Sequence, residues 1–187
     1  PLSLTENMKK SPFYRKITMA RKICFLGDSV TEGTKNGGFP WYEPLLPHIG
    51  GKVTSISQGS RTVAWLLDEG ERIAAENADL YVVAIGCNDI RYRDEKICAM
   101  NAVTYTTKLR ELKEMVCRKN PQAEFVFIAP WTSTDGDKNS RIPYKEKMTL
   151  YLEYSEALRE FCREEGYLYI NPNSIIEEHL RLYPHSR

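Results

Sequence analysis

The hydrophobic positions of the chain fall into short strand-like segments separated by longer amphipathic stretches. The first of these segments is a continuous apolar run that ends at Gly27, and the last two are stopped by Pro130 and Pro172. Such short runs are typical of strands that are buried on both faces of a parallel sheet. The predicted strands cover residues 23–26, 52–57, 80–85, 124–129 and 167–170.

The stretches between the predicted strands have helical periodicity. The clearest apolar stripe steps at i, i+4, i+7 and i+11, which places its members on one face of a helix. They are Tyr105, Leu109, Leu112 and Val116. A second stripe predicts a longer helix that ends near Gly166, and its members are Tyr151, Tyr154, Leu158, Phe161 and Cys162. Shorter helices are predicted over 173–183 and from Val63 onward, the latter with Ser60 as a candidate N-cap.

Strands that alternate with helices imply parallel pairing through right-handed crossovers. The predicted fold is therefore α/β, a three-layer α/β/α sandwich of about five parallel strands and of flavodoxin-like type. Residues 1–20 are polar and basic with little apolar periodicity, and we interpret them as an N-terminal lead-in segment. Residues 21–187 are expected to form a single domain.

Charge and cysteine content narrow the classes of function. Lys and Arg total 26 against 25 Asp and Glu, so the chain has no electrostatic reason to bind nucleic acid or an anionic membrane. The five cysteines are scattered without a C-x-x-C spacing, which argues against a zinc site, a redox motif or a disulfide framework. We therefore expect a reducing, cytoplasmic location and no metal or cofactor.

Three short polar segments follow the first three predicted strands. They are Gly27-Asp28-Ser29, Gly59-Ser60 and Gly86-Cys87-Asn88-Asp89. Taken singly, each is equally typical of a turn glycine followed by a helix cap. Because the carboxyl ends of neighbouring parallel strands meet at one edge of a sheet, the three segments are expected together where α/β sheets bind ligands.

Together these segments contain the residue types that acyl transfer requires. Ser29 lies on a sharp turn at the start of a helix, where a serine hydroxyl can act as a nucleophile. The developing oxyanion needs two or three hydrogen-bond donors. The backbone N–H groups of Ser29 and Gly59 and the side-chain amide of Asn88 are the candidates. The pattern therefore predicts Ser29, Gly59 and Asn88 as catalytic residues.

These residues resemble the motifs of the SGNH, or GDSL, hydrolase family. The letters GDSVTEG at 27–33 are similar to the family's nucleophile block, GCND at 86–89 is similar to its G-x-N-D block, and Gly59 falls where its oxyanion glycine lies. The resemblance spans residues 22 to about 172. It implies a lipase-like esterase or acylhydrolase with an acyl-enzyme on Ser29 and an oxyanion hole made by Ser29, Gly59 and Asn88. It also implies that Asp28 and Asp89 brace loops rather than touch substrate.

The general base that the family places in a C-terminal D-x-x-H motif has no counterpart in the sequence. The chain has three histidines. His48 is expected at the surface, in a helix beside Pro47, and His179 on a polar, solvated helix. His185 is nearest to the expected place, but Leu182 occupies the position of the partner aspartate. We therefore expect the domain to lack the segment that carries the base, and its serine to be impaired without it.

The same sequence segments argue against two other classes of protein. A Walker A loop is disfavoured because Thr34-Lys35 stands in the wrong order, and an α/β-hydrolase elbow would need glycine at Thr31. Two alternatives stay open. One is an O-acyltransferase that passes the acyl group to a sugar hydroxyl, and the other is a non-catalytic ligand-binding domain of the same fold.

The expected partner is a small-molecule or carbohydrate ester, without nucleic acid or membrane, and the oligomeric state is left open. Trp41-Tyr42 and Trp131 are expected near one rim of the site, where aromatic rings can stack on sugars. Arg61 and Arg91 follow the second and third polar segments and can meet a polar or anionic group. An acetylated carbohydrate is the preferred substrate.

Overall fold

A computed structural model describes residues 6–91, 100–131 and 142–183. In these ranges the strands form one parallel sheet with the order β2-β1-β3-β4-β5. The strands are β1 (Lys22–Gly27), β2 (Lys52–Ser57), β3 (Leu80–Ala84), β4 (Glu124–Ile128) and β5 (Leu168–Ile170). This order is the flavodoxin-like one, in which the chain reverses its direction of travel across the sheet between β2 and β3. The predicted α/β fold is confirmed.

The helices of the described residues surround this sheet. They are α1 (Glu6–Lys9), α2 (Pro12–Met19), α3 (Ser29–Glu32), α4 (Val63–Asp68), α5 (Gly70–Ala75), α6 (Cys87–Ile90), α7 (Ala102–Lys119), α8 (Tyr144–Glu165) and α9 (Asn173–Leu182). A 3₁₀ helix spans Glu43–His48. No helix in the described part of the chain is both long enough and apolar enough to cross a membrane.

Alternate residues of each strand supply the two cores of the sandwich, as the period of two requires. Cys24 and Leu26 of β1 face a cluster that contains the buried residues of α4, α5, α7 and α8. Ile23 and Phe25 face the opposite cluster, which includes Ile17 of α2. The predicted three-layer arrangement therefore places the sheet between two separate hydrophobic layers.

The two long helices form where the apolar stripes predict them. The predicted members of the first stripe are all buried on α7, and those of the second are all buried on α8. α8 ends at Gly166, which adopts a left-handed conformation with φ of 75°. Glycine is favoured there because the conformation carries no Cβ penalty.

The helix predicted from Val63 is divided, and the predicted cap is wrong. The chain forms two short helices, α4 and α5, that meet at Glu69 and Gly70. A Cβ atom on Gly70 would lie 2.7 Å from the side chain of Met115, so glycine permits the close packing of α5 against α7. Ser60 is not the N-cap, because it has a left-handed φ of 65° and lies before the helix. The carboxylate of Asp89 accepts the Val63 N–H instead, at 3.1 and 3.2 Å.

The N-terminal segment contains two helices that the sequence did not lead us to predict, the short α1 and the longer α2. The Ser11 hydroxyl accepts the Tyr14 N–H over 3.1 Å, and Pro12 occupies the first turn, so α2 has a well-formed start. Its Ile17 is completely buried. Both signals were present in the sequence, namely the Ser11-Pro12 start and the spacing of Phe13, Tyr14 and Ile17 on one face of a helix.

Candidate active site

The three polar segments meet at the carboxyl edge of β1 and its two neighbours. β1 lies between β2 and β3, with Gly27 in register with Ser57 and with Ala84. Each segment therefore leaves the sheet at the same level. The structure brings Ser29 and Gly59 side by side, since a Cβ atom built on Gly59 would lie 3.7 Å from the Ser29 Cβ.

The turn that carries Ser29 is shaped by the residues on either side of it. A Cβ atom on Gly27 would lie 2.0 Å from the Thr31 hydroxyl and 2.7 Å from the Ala84 carbonyl oxygen, so only glycine fits there. Asp28 caps α3 by accepting the Val30 N–H over 3.1 Å. Ser29 is the first residue of α3 and is half-buried. The turn thus presents Ser29 at the edge of the sheet.

Asn88 connects the turn that carries Ser29 to the loop after β2. Its side-chain nitrogen donates to Asp28 Oδ2 over 3.2 Å and to the Arg61 carbonyl oxygen over 2.9 Å. Asn88 itself is only 8% exposed, and Asp28 is 2% exposed. A buried carboxylate and a buried amide each need partners, so these contacts fix the relative positions of the three segments.

Gly59 has a partner that the sequence analysis did not predict. Its N–H donates to Glu32 Oε2 over 2.8 Å, and the Thr34 hydroxyl donates to the same oxygen over 3.1 Å. Glu32 follows Ser29 by three positions, so the two side chains lie next to each other on the surface of α3. That spacing is visible in the sequence, but the approach of Gly59 from 27 positions away is not.

Asp89 braces the site from below the surface, as the family resemblance implies for it and for Asp28. Only 4% of Asp89 is exposed, and both its oxygens accept the N–H of Val63. Burial raises the pKa of its carboxyl to about 7. This carboxyl holds the start of α4 through the two contacts with Val63 N–H.

Cys87 is the only thiol in these segments. Its thiol donates to the Trp131 carbonyl oxygen over 3.7 Å. Removal from water raises the pKa of this thiol well above its usual range. Since the thiolate is the reactive form of cysteine, Cys87 stays an inert thiol.

The histidines lie in different parts of the chain. His48 ends the 3₁₀ helix, with its ring centroid 5.9 Å from that of Tyr14, shortly before β2 begins. It therefore lies toward the amino ends of the strands, away from Ser29. His179 is exposed on α9, 5.0 Å from the ring of Tyr183. His185 lies outside the described residues, so the expectation that the domain lacks the segment with the general base stays a prediction.

An apolar groove adjoins the turn that carries Ser29, and Val30 forms part of its wall. Its volume is about 370 Å³. It is lined by Phe13, Val30, Trp41, Ile128, Trp131, Ile170, Pro172 and Ile176. Trp41 and Trp131 thus share one rim, as the sequence analysis expected. Tyr42 does not join them, because it is buried and stacked on Phe25 with ring centroids 3.8 Å apart.

The two arginines expected near the site have different surroundings. The guanidinium of Arg61 lies over the Trp65 ring, 5.5 Å from its centroid. Its Nε is buried and has no hydrogen-bond partner in the part of the chain that the structure describes. Arg91 follows α6, and its backbone N–H donates to the Cys87 carbonyl over 3.3 Å. Neither of these contacts indicates which part of a substrate Arg61 or Arg91 would bind.

Comparison with known families shows which family this chain belongs to. The sequence profile of the GDSL-like Lipase/Acylhydrolase family matches residues 25–186. The chain belongs to the GDSL-like lipase/acylhydrolase family. The prediction of a carboxylic ester hydrolase is confirmed at this level. No match was found among curated proteins.

Solved structures resemble this GDSL-like hydrolase in fold. A putative GDSL-like lipase from Parabacteroides merdae has a TM-score of 0.73 at 20% identity, over 87% of this chain and 82% of the other. A catalytic mutant of an acetylxylan esterase from Geobacillus stearothermophilus has a TM-score of 0.68 at 17% identity, over 86% and 80%. A putative acylhydrolase from Bacteroides fragilis has a TM-score of 0.63 at 15% identity, over 82% and 68%.

Proposed function

We propose that this GDSL-like hydrolase is a serine esterase that forms an acyl-enzyme on Ser29 and removes acetyl groups from a carbohydrate. The observation that carries the proposal is the convergence of Ser29, Gly59 and Asn88 at the carboxyl edge of adjacent strands. Acyl transfer needs a nucleophile beside donors aimed at the developing oxyanion. These three residues supply both from separate loops.

The proposed reaction has two halves. The Ser29 oxygen attacks the ester carbonyl carbon while its proton passes to a general base, for which His185 is the nearest candidate in the sequence, and the carbonyl oxygen becomes an oxyanion. The N–H groups of Ser29 and Gly59 and the amide of Asn88 stabilise this oxygen. Collapse of the intermediate releases the alcohol, which takes up the proton. Water then attacks the acyl-serine and releases the carboxylic acid and free Ser29.

Asn88 has to share its donors in this reaction. Its side-chain nitrogen already donates to Asp28 over 3.2 Å and to the Arg61 carbonyl over 2.9 Å. In the proposed reaction the oxyanion is a third acceptor for this nitrogen, so Asn88 must loosen one of these contacts or share an N–H between two acceptors.

The preference for a carbohydrate acetyl group rests on the groove beside Val30. Indole rings pack well against the apolar C–H face of a sugar, and Trp41 and Trp131 both line this groove. The acetylxylan esterase with the same fold acts on an acetylated polysaccharide by its name. An O-acyltransferase would use the same acyl-enzyme and let a sugar hydroxyl replace water in the second half.

An ester series tests this function. The full-length protein is assayed with p-nitrophenyl acetate, p-nitrophenyl octanoate and acetylated xylo-oligosaccharides, beside Ser29→Ala. We expect acetate release from the oligosaccharides, faster turnover of the acetate than of the octanoate, and near-background rates for Ser29→Ala. Faster turnover of the octanoate with no reaction on the sugars would overturn the substrate class. Transfer of acetyl to added sugar in place of hydrolysis would establish the transferase, and no turnover of any ester would favour the non-catalytic ligand-binding domain.

A further inference from the structure

The carboxylate of Glu32 holds the backbone N–H that the proposed mechanism assigns to the oxyanion. Gly59 N–H donates to Glu32 Oε2 over 2.8 Å, and the Thr34 hydroxyl supports the same oxygen over 3.1 Å. The Ser29 carbonyl oxygen, 3.3 Å from the same hydroxyl, is the alternative acceptor for its single hydrogen, so Thr34 links Glu32 to the turn that carries Ser29. Hydrogen bonds to an ionised acceptor are about twice as strong as neutral ones. The Gly59 donor is therefore engaged before any substrate arrives.

The bound oxygen of Glu32 lies on the side of Gly59 that faces Ser29. A Cβ atom built on Gly59 would be 3.4 Å from Glu32 Oε2 and 3.7 Å from Ser29 Cβ. Both atoms thus border the same small space beside Gly59. An ester that is attacked by Ser29 and stabilised by Gly59 must place its carbonyl oxygen in that space. The carboxylate oxygen and the oxyanion compete there, because each is an anionic oxygen that accepts the same N–H.

The position of Glu32 allows it to leave. Glu32 is exposed and is the last residue of α3. Gly33, which follows it, has a left-handed φ of 96° that ends the helix. The side chain can therefore rotate into water without moving the backbone of Ser29.

We propose that the Glu32 carboxylate is the resting occupant of the oxyanion site and that an ester must displace it before Ser29 is acylated. This inference rests on the proposed roles of Ser29 and Gly59. Glu32 thereby limits the rate of acylation. A role as a mere brace predicts the opposite sign, because loss of the carboxylate would then release the Gly59 loop and slow the enzyme.

A neutral phosphate triester separates these two roles. Diethyl p-nitrophenyl phosphate modifies an active serine once, and its phosphoryl oxygen must take the oxyanion position. The rate of p-nitrophenolate release therefore reports the first half-reaction alone. The full-length protein is compared with Glu32→Ala, which removes the carboxylate, and with Glu32→Gln, which keeps an acceptor but not the charge. Glu111→Ala removes an exposed charge from α7 as the matched control, and Ser29→Ala marks the background.

We expect Glu32→Ala to react about tenfold faster than the wild type, which is the scale of one lost hydrogen bond to a charged group. Glu32→Gln should fall between them, and Glu111→Ala should match the wild type. Glu32 variants that react at the wild-type rate or more slowly overturn this inference and leave the proposed function intact. Equal reaction in Ser29→Ala, or none in the wild type and the Glu32 variants, overturns both.

Discussion

The side-chain amide of Asn88 donates a hydrogen bond to the Asp28 carboxylate over 3.2 Å, between residues 60 positions apart. This contact joins the turn that carries Ser29 to the loop after β3. The same amide holds the Arg61 carbonyl in the loop after β2. In the proposed mechanism, one buried side chain thus both aligns the three loops and serves the oxyanion.

Substitution of Asn88 should lower both the rate of the reaction and the stability of the fold. Asn88→Ala removes one oxyanion donor, which typically costs about 10²–10³ in kcat. It also breaks buried hydrogen bonds, at a cost of about 1–3 kcal/mol in the free energy of unfolding. Steady-state kinetics and urea unfolding measure the two effects separately.

Asn120→Ala is the matched control for that experiment. Asn120 also donates from its side chain to a main-chain carbonyl, that of Ala78, over 3.0 Å, but it lies at the end of α7. Its substitution should lower stability and leave kcat unchanged. Equal losses of activity in both variants would show that Asn88 acts only through the fold.

Substitution of Gly59 should preserve the fold and impair the reaction. An added methyl group would make only ordinary contacts, at 3.4 Å from Glu32 and 3.7 Å from Ser29. It would nevertheless fill the space proposed for the ester carbonyl, and a displacement of about 1 Å can cost about 10²-fold in rate. Gly59→Ala should therefore unfold at the wild-type temperature and lose up to about 10²-fold in kcat/KM.

Gly50→Ala provides the comparison for Gly59→Ala. A Cβ atom there would meet nothing within 4 Å. We expect wild-type melting and wild-type kinetics for this variant. Wild-type kinetics in Gly59→Ala as well would mean that the ester does not enter the space beside Gly59.

The buried carboxyl of Asp89 predicts a specific dependence of stability on pH. Its pKa is raised by burial from 3.8 to about 7, so the folded state binds the proton more tightly than the unfolded state. The contribution of Asp89 to stability is complete below about pH 4 and is lost as the pH rises to about 7. Asp89→Asn keeps an acceptor for Val63 N–H and cannot ionise.

Urea unfolding of both proteins between pH 4 and pH 7 measures this effect. The free energy of unfolding of the wild type should fall relative to Asp89→Asn by a few kcal/mol, since each pKa unit corresponds to about 1.4 kcal/mol. Asp68→Asn, at the exposed end of α4, should follow the wild type. Parallel curves for wild type and Asp89→Asn would contradict the raised pKa.

The sheet could be predicted from sequence to within one or two residues at each strand. Parallel strands are buried on both faces, so β3 and β4 stand out as short apolar runs with clear stops. The convergence of Ser29, Gly59 and Asn88 followed from the same pattern, because strand ends share an edge. A helix around His48 is also predicted, and it forms as a 3₁₀ helix, a type that the sequence could not distinguish because the two prolines in this segment leave no clear apolar period.

The contacts that decide the detailed behaviour of the site depend on tertiary structure. No spacing in the sequence indicates that Glu32 will meet Gly59, because the contact needs the loop after β2 to fold over α3. The cap of α4 was assigned to Ser60 on local grounds, whereas Asp89 supplies it from 26 positions away. Local sequence patterns therefore predict where the helices and strands lie. The hydrogen-bond partners within the loops are determined by how the loops pack in the folded protein.

The central claim is that the acyl group is carried by Ser29. The direct measurement is mass spectrometry of peptides from the full-length protein, acid-quenched during turnover of p-nitrophenyl acetate, beside Ser29→Ala and Ser174→Ala, an exposed serine on α9. We predict one acetyl group on Ser29 in the wild type and in Ser174→Ala, and a loss of at least about 10³-fold in kcat for Ser29→Ala. An acetyl group on another residue, or sustained turnover by Ser29→Ala, would contradict the account.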